Sequence, residues 1–253
     1  MAEYNLDARF ISILYKIGLE IKKPYFFEQQ ALYWSITRLF SFYYRIVTVY
    51  NPKTKYHGNK EFLDADLESY FIRYRIILND IAYILYQLLK LFHINPKVKF
   101  NKRTDPRNWE VSLFDFAKSL EKDTNPVLNK LRECVAAGMK KFEFMRNQRD
   151  NIAHYKSSIM IFGDGPDFEF ATINPAGTMP TVIENGMTKL VLKNVYKFTN
   201  NQHFFLWNWM NQDLTDVIIE LCATQKLVVD PTQFSVKLNG GLTIGIFKEI
   251  NDI

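Results

Sequence analysis

Residues 125–155, NPVLNKLRECVAAGMKKFEFMRNQRDNIAHY, decide the fold. Asn125 and Pro126 predict a helix start, because Asn is a favoured N-cap and Pro fits the first helical position. Apolar side chains then recur at the spacing of one helix face, at Leu128, Leu131, Val135, Met139, Phe142 and Met145. The stretch therefore predicts a long amphipathic helix that runs toward His154.

Apolar spacing of the same kind predicts further helices on both sides of this one. The sequence favours helices over residues 6–21, 28–49, 66–92 and 202–226. A short helix is expected to begin near Ser112, with Asp115 as its capping partner. These helices predict a mainly α protein built as an up-and-down bundle.

The helical pattern stops between residues 158 and 198. Apolar and polar residues alternate there, which predicts three short strands, and Asn185-Gly186 is a strong hairpin turn signal. Residues 234–247 predict one more hairpin at the C-terminus. We therefore expect one compact domain with four segments. They are the first part of the bundle (1–157), a small antiparallel β insertion (158–198), the last bundle helix (199–228) and a C-terminal β-hairpin (229–253).

Composition and charge narrow the function only slightly. The 253 residues carry a net charge of +5, which permits a polyanionic partner without requiring one. The N-terminus has no basic region followed by an apolar run, and the most apolar stretch, residues 81–89, is far shorter than a membrane span. The sequence therefore predicts a cytoplasmic protein that does not bind a membrane.

Several common kinds of site are missing from the sequence. It has no phosphate-binding loop and no nucleophile elbow. Its histidines, His57, His93, His154 and His203, are far apart, so no metal site and no cofactor are expected. We expect His93 and His203 to lie at helix ends. The acidic pair Asp64 and Asp66 is expected to be a solvated helix start.

One segment, Met145–Tyr155, combines residue types that suit phosphate chemistry. Residues four apart are neighbours on a helix, so Arg146, Asp150 and His154 form one row and Arg149 lies one residue away from it. Arginine is a fixed cation that suits phosphate, and histidine exchanges a proton near neutral pH. Asp150 could orient the imidazole or hold an arginine.

This segment resembles the Arg-x(4–6)-His motif of the HEPN superfamily (higher eukaryote and prokaryote nucleotide-binding domains), with Arg149 and His154 as its ends and Asp150 as the polar residue after the arginine. The resemblance covers the helical portions and implies a HEPN-like bundle. It also implies a homodimer in which two motifs face each other across a cleft that cleaves RNA without a metal ion. Arg149 would then hold the scissile phosphate, His154 would serve as acid or base around attack by the RNA 2′-hydroxyl, and Asp150 would support them.

Further RNA contacts and other functions follow from weaker signals. Arg146 is a candidate phosphate contact, and Lys102 and Arg103 in the basic connector 97–107 are candidate RNA contacts. The connector is alternatively a solvated loop, and the motif is alternatively a solvated helix face with ion pairs. The resemblance suggests a bacterial defence, stress or toxin role with an antitoxin or regulatory protein as partner. The alternative function is a non-catalytic HEPN-like dimer that serves in protein interaction or nucleotide sensing.

Overall fold

The structure is a computed structural model that describes residues 8–23, 27, 29–50, 62–94, 112–155, 158–163, 167–173, 176–227 and 229. Within these ranges, the side chains of residues 149–151 and 153–155 are not described. The protein is mainly α-helical with small antiparallel sheets, as the sequence predicts. The predicted C-terminal hairpin lies outside the described residues.

Helices make up most of the described chain. The α-helices are α1 (Arg9–Glu20), α2 (Gln29–Tyr44), α3 (Leu63–Leu91), α4 (Leu113–Glu121), α5 (Asn129–Tyr155), α6 (Val195–Asn208) and α7 (Thr215–Thr224). A π-helical segment, Arg45–Val49, continues α2, and a second one, Trp209–Leu214, joins α6 to α7. Of the helices in the described ranges, none combines the length and the apolar character that crossing a bilayer requires.

The two predicted helix caps have different outcomes. The side chain of Asn125 accepts a hydrogen bond from the Val127 amide at 3.1 Å, which confirms the predicted cap. It opens a short 3-10 turn, Pro126–Leu128, that leads directly into α5. Ser112 precedes α4, but its side chain makes no capping hydrogen bond. α4 nevertheless begins directly after Ser112, as predicted, and the role of Asp115 as capping partner stays a prediction.

The described residues of the β segment contain five short strands rather than the predicted three. β1 (Ser158–Phe162), β2 (Glu169–Ile173) and β5 (Lys193–Asn194) form an antiparallel sheet in the order β1-β2-β5. β3 (Thr181–Glu184) and β4 (Met187–Leu190) form a separate hairpin. Its turn residues, Asn185 and Gly186, have φ of 52° and 76°, as a type I′ turn requires. The predicted hairpin is thus confirmed.

The last helical region begins earlier than the sequence pattern indicated. α6 begins at Val195 rather than at residue 202. The reason is a cap that the periodicity does not show, since the side chain of Asn194 accepts a hydrogen bond from the Lys197 amide at 2.9 Å. The earlier start moves His203 from the predicted helix end into the helix interior.

Contacts between residues divide the chain into two compact units. Unit I consists of the described parts of residues 1–36, 76–142 and 206–240, and unit II of the described parts of residues 37–75 and 143–205. Helices α2, α3, α5 and α6 contribute residues to both units.

The core of unit I is built around Trp209. Its indole is fully buried, donates a hydrogen bond from Nε1 to the Cys134 carbonyl oxygen at 3.1 Å, and meets the Phe142 ring edge-on. Gly138 faces the same indole, and a Cβ atom there would lie 2.7 Å from two of its ring atoms. Glycine at this position therefore lets α5 pass close to the tryptophan.

The core of unit II joins helices to the sheet through aromatic rings. The cluster consists of Phe71, Phe144, Phe170 and Phe198, which come from α3, α5, β2 and α6. The centroids of neighbouring rings in it are 5.1 to 6.5 Å apart. The Lys193 ammonium lies over the Phe144 ring at 4.6 Å. The cluster fixes the part of α5 that precedes the Arg-x4-His segment against β2.

Candidate functional site

The Arg-x4-His segment lies at the C-terminal end of α5. The helix continues without interruption through Arg149, Asp150 and His154 to Tyr155, as predicted. The helical backbone places Arg146, Asp150 and His154 one turn apart, with Arg149 next to that row. The side chains of Arg149, Asp150 and His154 are outside the described part, so their contacts and their catalytic roles stay predictions.

The residues just before the motif tie the end of α5 to the rest of unit II. Arg146 is half-buried, and its Nε atom is fully enclosed. The Gln148 side-chain oxygen accepts a hydrogen bond from the Thr172 hydroxyl on β2. The last described side chains before the motif are therefore held in place, and α5 enters its final turns from a fixed position.

The other predicted RNA contacts are not located. Lys102 and Arg103 lie outside the described residues, as does the rest of the basic connector 97–107. Whether these cations approach the end of α5 stays a prediction.

An ion pair between the exposed Arg45 and the buried Asp66, near the start of α3, was missed by the sequence analysis. Asp66 was expected on a solvated helix start, but it is buried and accepts hydrogen bonds from Arg45 Nη2 at 2.5 Å and from the Tyr50 hydroxyl at 2.8 Å. Burial, followed by the bond to Asp66, raises the pKa of Tyr50 well above its usual range. Arg45 is the first residue of the π-helical segment after α2 and Tyr50 directly follows its last residue, so the two contacts fix that irregular stretch to α3.

His203 was also misjudged. Instead of lying at a helix end, it is fully buried inside α6, and its ring stacks on Tyr43 with centroids 3.9 Å apart. Phe40 meets the same imidazole edge-on at 4.4 Å. Neither ring nitrogen has a hydrogen-bond partner among the described residues. Burial lowers the pKa of His203 to about 3, so the imidazole is neutral at physiological pH. His93, in contrast, lies in the turn that ends α3, two residues after Leu91, as predicted.

A cavity of about 310 Å³ opens beside β1. It is lined by Asp64, Ser158, Ile159, Met160, Ile161, Gly163 and Ile173. Ser158 follows Tyr155, the last residue of α5, by three positions. The cavity is therefore close in sequence to the Arg-x4-His segment, although the sequence pattern of short strands gave no signal for it.

Metal-binding side chains do not cluster in the described ranges. No group of three or more His, Cys, Asp or Glu residues there is arranged to hold a metal ion. The acidic residues of unit II with assigned contacts are Asp64, Asp66, Glu68 and Glu184, and each of them binds a protein group.

Comparison with known proteins assigns no family to this chain. No protein-family model matches it, and no curated protein or solved structure matches it. The resemblance to HEPN proteins therefore depends on the Arg-x4-His segment and its place in the fold. The function has to be argued from the residues themselves.

Proposed function

We propose that the protein is a HEPN-type endoribonuclease that cleaves RNA without a metal ion and builds its cleft from two chains. The observation that supports this proposal is the unbroken helix α5 through Arg149, Asp150 and His154. The helix belongs to a mainly α protein, and another long helix, α6, follows after the β strands. This is the setting in which the family carries its motif.

The proposed reaction is an internal phosphoryl transfer. The RNA 2′-hydroxyl attacks the adjacent phosphorus, the bond to the 5′-oxygen breaks, and a 2′,3′-cyclic phosphate and a 5′-hydroxyl end are formed. His154 takes the proton from the 2′-hydroxyl or gives one to the leaving oxygen, and Arg149 stabilises the charge that develops on the phosphate. Asp150 supports the two residues from the same helix.

The position of His154 at the end of α5 suits this role. The carbonyl groups in the last turn of a helix carry a partial negative charge, which stabilises a nearby cation. A protonated imidazole in that last turn is favoured, and Arg149, which lies more than one turn earlier, is a fixed cation that does not need this stabilisation. Both charges would attract an RNA phosphate.

Cleavage of RNA by the purified chain in excess EDTA tests the proposal. Arg149→Ala and His154→Ala are each expected to lower the rate at least about 100-fold, since a general acid–base contributes about 10² to 10⁴. Lys141→Ala is the matched control, because it removes an exposed cation from the same helix outside the motif. It should leave the rate unchanged, and all variants should keep the melting temperature of the parent.

Three results would contradict the proposal in different ways. Cleavage that survives in both motif variants would place the activity elsewhere or in a contaminant. Cleavage that EDTA abolishes would contradict a metal-independent reaction. A stable dimer without cleavage of varied RNAs would favour the non-catalytic interaction or nucleotide-sensing module. If cleavage is found, the resemblance favours a cytoplasmic defence, stress or toxin role with an antitoxin or regulatory partner.

A further inference from the structure

β1 lies at the edge of its sheet. In the described strands it pairs with β2 alone, and the order is β1-β2-β5. The Ile159 amide donates a hydrogen bond to Glu68 Oε1 at 3.0 Å, so the backbone of Ile159 faces away from β2. Backbone groups alternate in direction along an antiparallel strand, and Ile161 therefore faces the same outer side. That edge presents the Ile161 amide and the carbonyl oxygens of Ile159 and Ile161.

The cavity beside β1 is lined by residues of this edge strand. Four of the five β1 residues line the cavity. The apolar residues of the lining are Ile159, Met160, Ile161 and Ile173. The Met160 side chain is 42% exposed. Outward-facing backbone groups next to an apolar cavity are what an added strand uses, since its main chain pairs with the edge and alternate side chains enter the cavity.

Two carboxylates determine which chain the edge attracts. Asp64 lines the cavity, and Glu68, one helical turn further along α3, accepts the edge amide of Ile159. No basic side chain is among the residues that line the cavity in the described part of the protein. The negative charge repels nucleic acid and attracts a segment that carries lysine or arginine.

We propose that the outer edge of β1 binds an extended basic peptide segment of a partner protein by strand addition. The segment pairs with the Ile161 amide and carbonyl oxygen and with the Ile159 carbonyl oxygen, because Glu68 already holds the Ile159 amide. It places an apolar side chain in the cavity and directs a cation toward Asp64. This site is distinct from the proposed nuclease, and peptide binding does not depend on Arg149 or His154.

A designed probe tests the proposal on the full chain. The probe is the peptide acetyl-Val-Lys-Val-Thr-Val-Lys-Val-amide, with binding followed by fluorescence anisotropy and by residue-level amide exchange. Binding is expected to slow exchange at the Ile161 amide. The Met160 amide points into the β1–β2 ladder, so its exchange should already be slow and should not change.

Variants separate backbone pairing from charge. Ile161→Pro removes the outward amide while leaving the ladder to β2, because proline is tolerated where an edge N–H faces outward, and it should abolish probe binding. Ile161→Val is the matched control and should bind like the parent. Asp64→Lys should weaken binding at least about tenfold, a loss typical of one reversed charge contact. Melting temperatures identify any variant that fails to fold.

The following outcomes would overturn the proposal. An Ile161 amide that is protected before the probe is added would show that another part of the chain covers the edge. If Ile161→Pro bound the probe as well as the parent does, binding would not occur by strand addition. If a probe with both lysines replaced by glutamate bound equally well, charge would not select the partner. Failure of the probe to bind the parent would contradict the peptide-binding proposal as a whole. RNA cleavage by the same preparation would still support the proposed function.

Discussion

The imidazole of His203 lies flat on the ring of Tyr43, with centroids 3.9 Å apart and ring planes only 6° from parallel. The Tyr43 hydroxyl in turn donates a hydrogen bond to Asn200 Oδ1 at 2.5 Å, on the same helix as His203. The pair therefore joins α2 to α6 inside unit II through one aromatic stack and one polar contact. It also encloses a titratable group where its charged form is poorly solvated.

The burial of His203 should make the free energy of unfolding depend on pH. The pKa is about 3 in the folded chain and 6.5 in the unfolded chain, so the unfolded chain takes up the proton first. Stability is fully present above pH 6.5 and is lost as the pH falls toward 3. Between pH 7 and pH 5 the loss should be about 2 kcal/mol. Urea unfolding at a series of pH values measures it.

The variant His203→Phe removes the titration while keeping an aromatic ring. Because carboxylates also titrate in acid, the quantity to compare is the pH dependence of the parent minus that of the variant. His93→Asn is the matched control, since it removes an exposed histidine. An unchanged pH dependence in His203→Phe would show that the imidazole does not carry the effect.

Gly138→Ala should destabilise unit I. On an ordinary helix, alanine in place of glycine stabilises by about 1 kcal/mol. Here the new methyl would lie 2.7 Å from the buried Trp209 ring, so a loss of about 1–3 kcal/mol is expected instead. Gly138→Ala should cost less stability when it is introduced into the Trp209→Phe variant than when it is introduced into the parent, because the smaller ring leaves room for the methyl group. Urea unfolding gives the sign, and stabilisation by Gly138→Ala would contradict the close approach.

Asp66→Ala should cost more than Arg45→Ala. Removing Asp66 leaves the Tyr50 hydroxyl and the Arg45 guanidinium without their shared acceptor, which should cost about 2–3 kcal/mol. The Arg45 side chain is 45% exposed, so water can replace much of what it provides, and its removal should cost less. A larger effect for Arg45→Ala would reverse this ranking of the two partners.

Thr172→Val should loosen the end of α5. The substitution removes the hydrogen bond from the Thr172 hydroxyl to Gln148 and keeps the shape of the side chain. Amides in residues 149–155 should exchange faster with solvent, while amides of α5 in unit I should not change. Thr188→Val, on the exposed strand β4, is the matched control and should leave the exchange of α5 unaffected.

Local signals in the sequence predicted local structure well. Asn125-Pro126 located the start of α5, and Asn185-Gly186 located a hairpin, because in both cases the residues that determine the geometry are adjacent in the chain. α6 shows the limit of this approach. Its cap, Asn194, is the last residue of a two-residue strand that is too short to produce an alternating pattern.

The contacts that could not be predicted join residues distant in the sequence. Asp66 looks like an ordinary acidic residue in a first helical turn, and only the fold places Arg45 and Tyr50 against it. The same is true of Tyr43 and His203, which are 160 positions apart. The motif at the end of α5 is the opposite case, because its spacing is visible in the sequence alone. Its side-chain geometry stays a prediction.

The β3–β4 hairpin is a suitable site for inserting a reporter domain with which this protein can be followed in cells. All eight residues of its two strands are exposed, and the Val191 amide donates a hydrogen bond to the Pro180 carbonyl oxygen at 2.8 Å across its base. The chain therefore leaves and re-enters at nearly the same point, which is the geometry that tolerates a guest domain. A fluorescent protein or an affinity tag inserted between Asn185 and Gly186 would report on the chain while both of its ends stay unmodified.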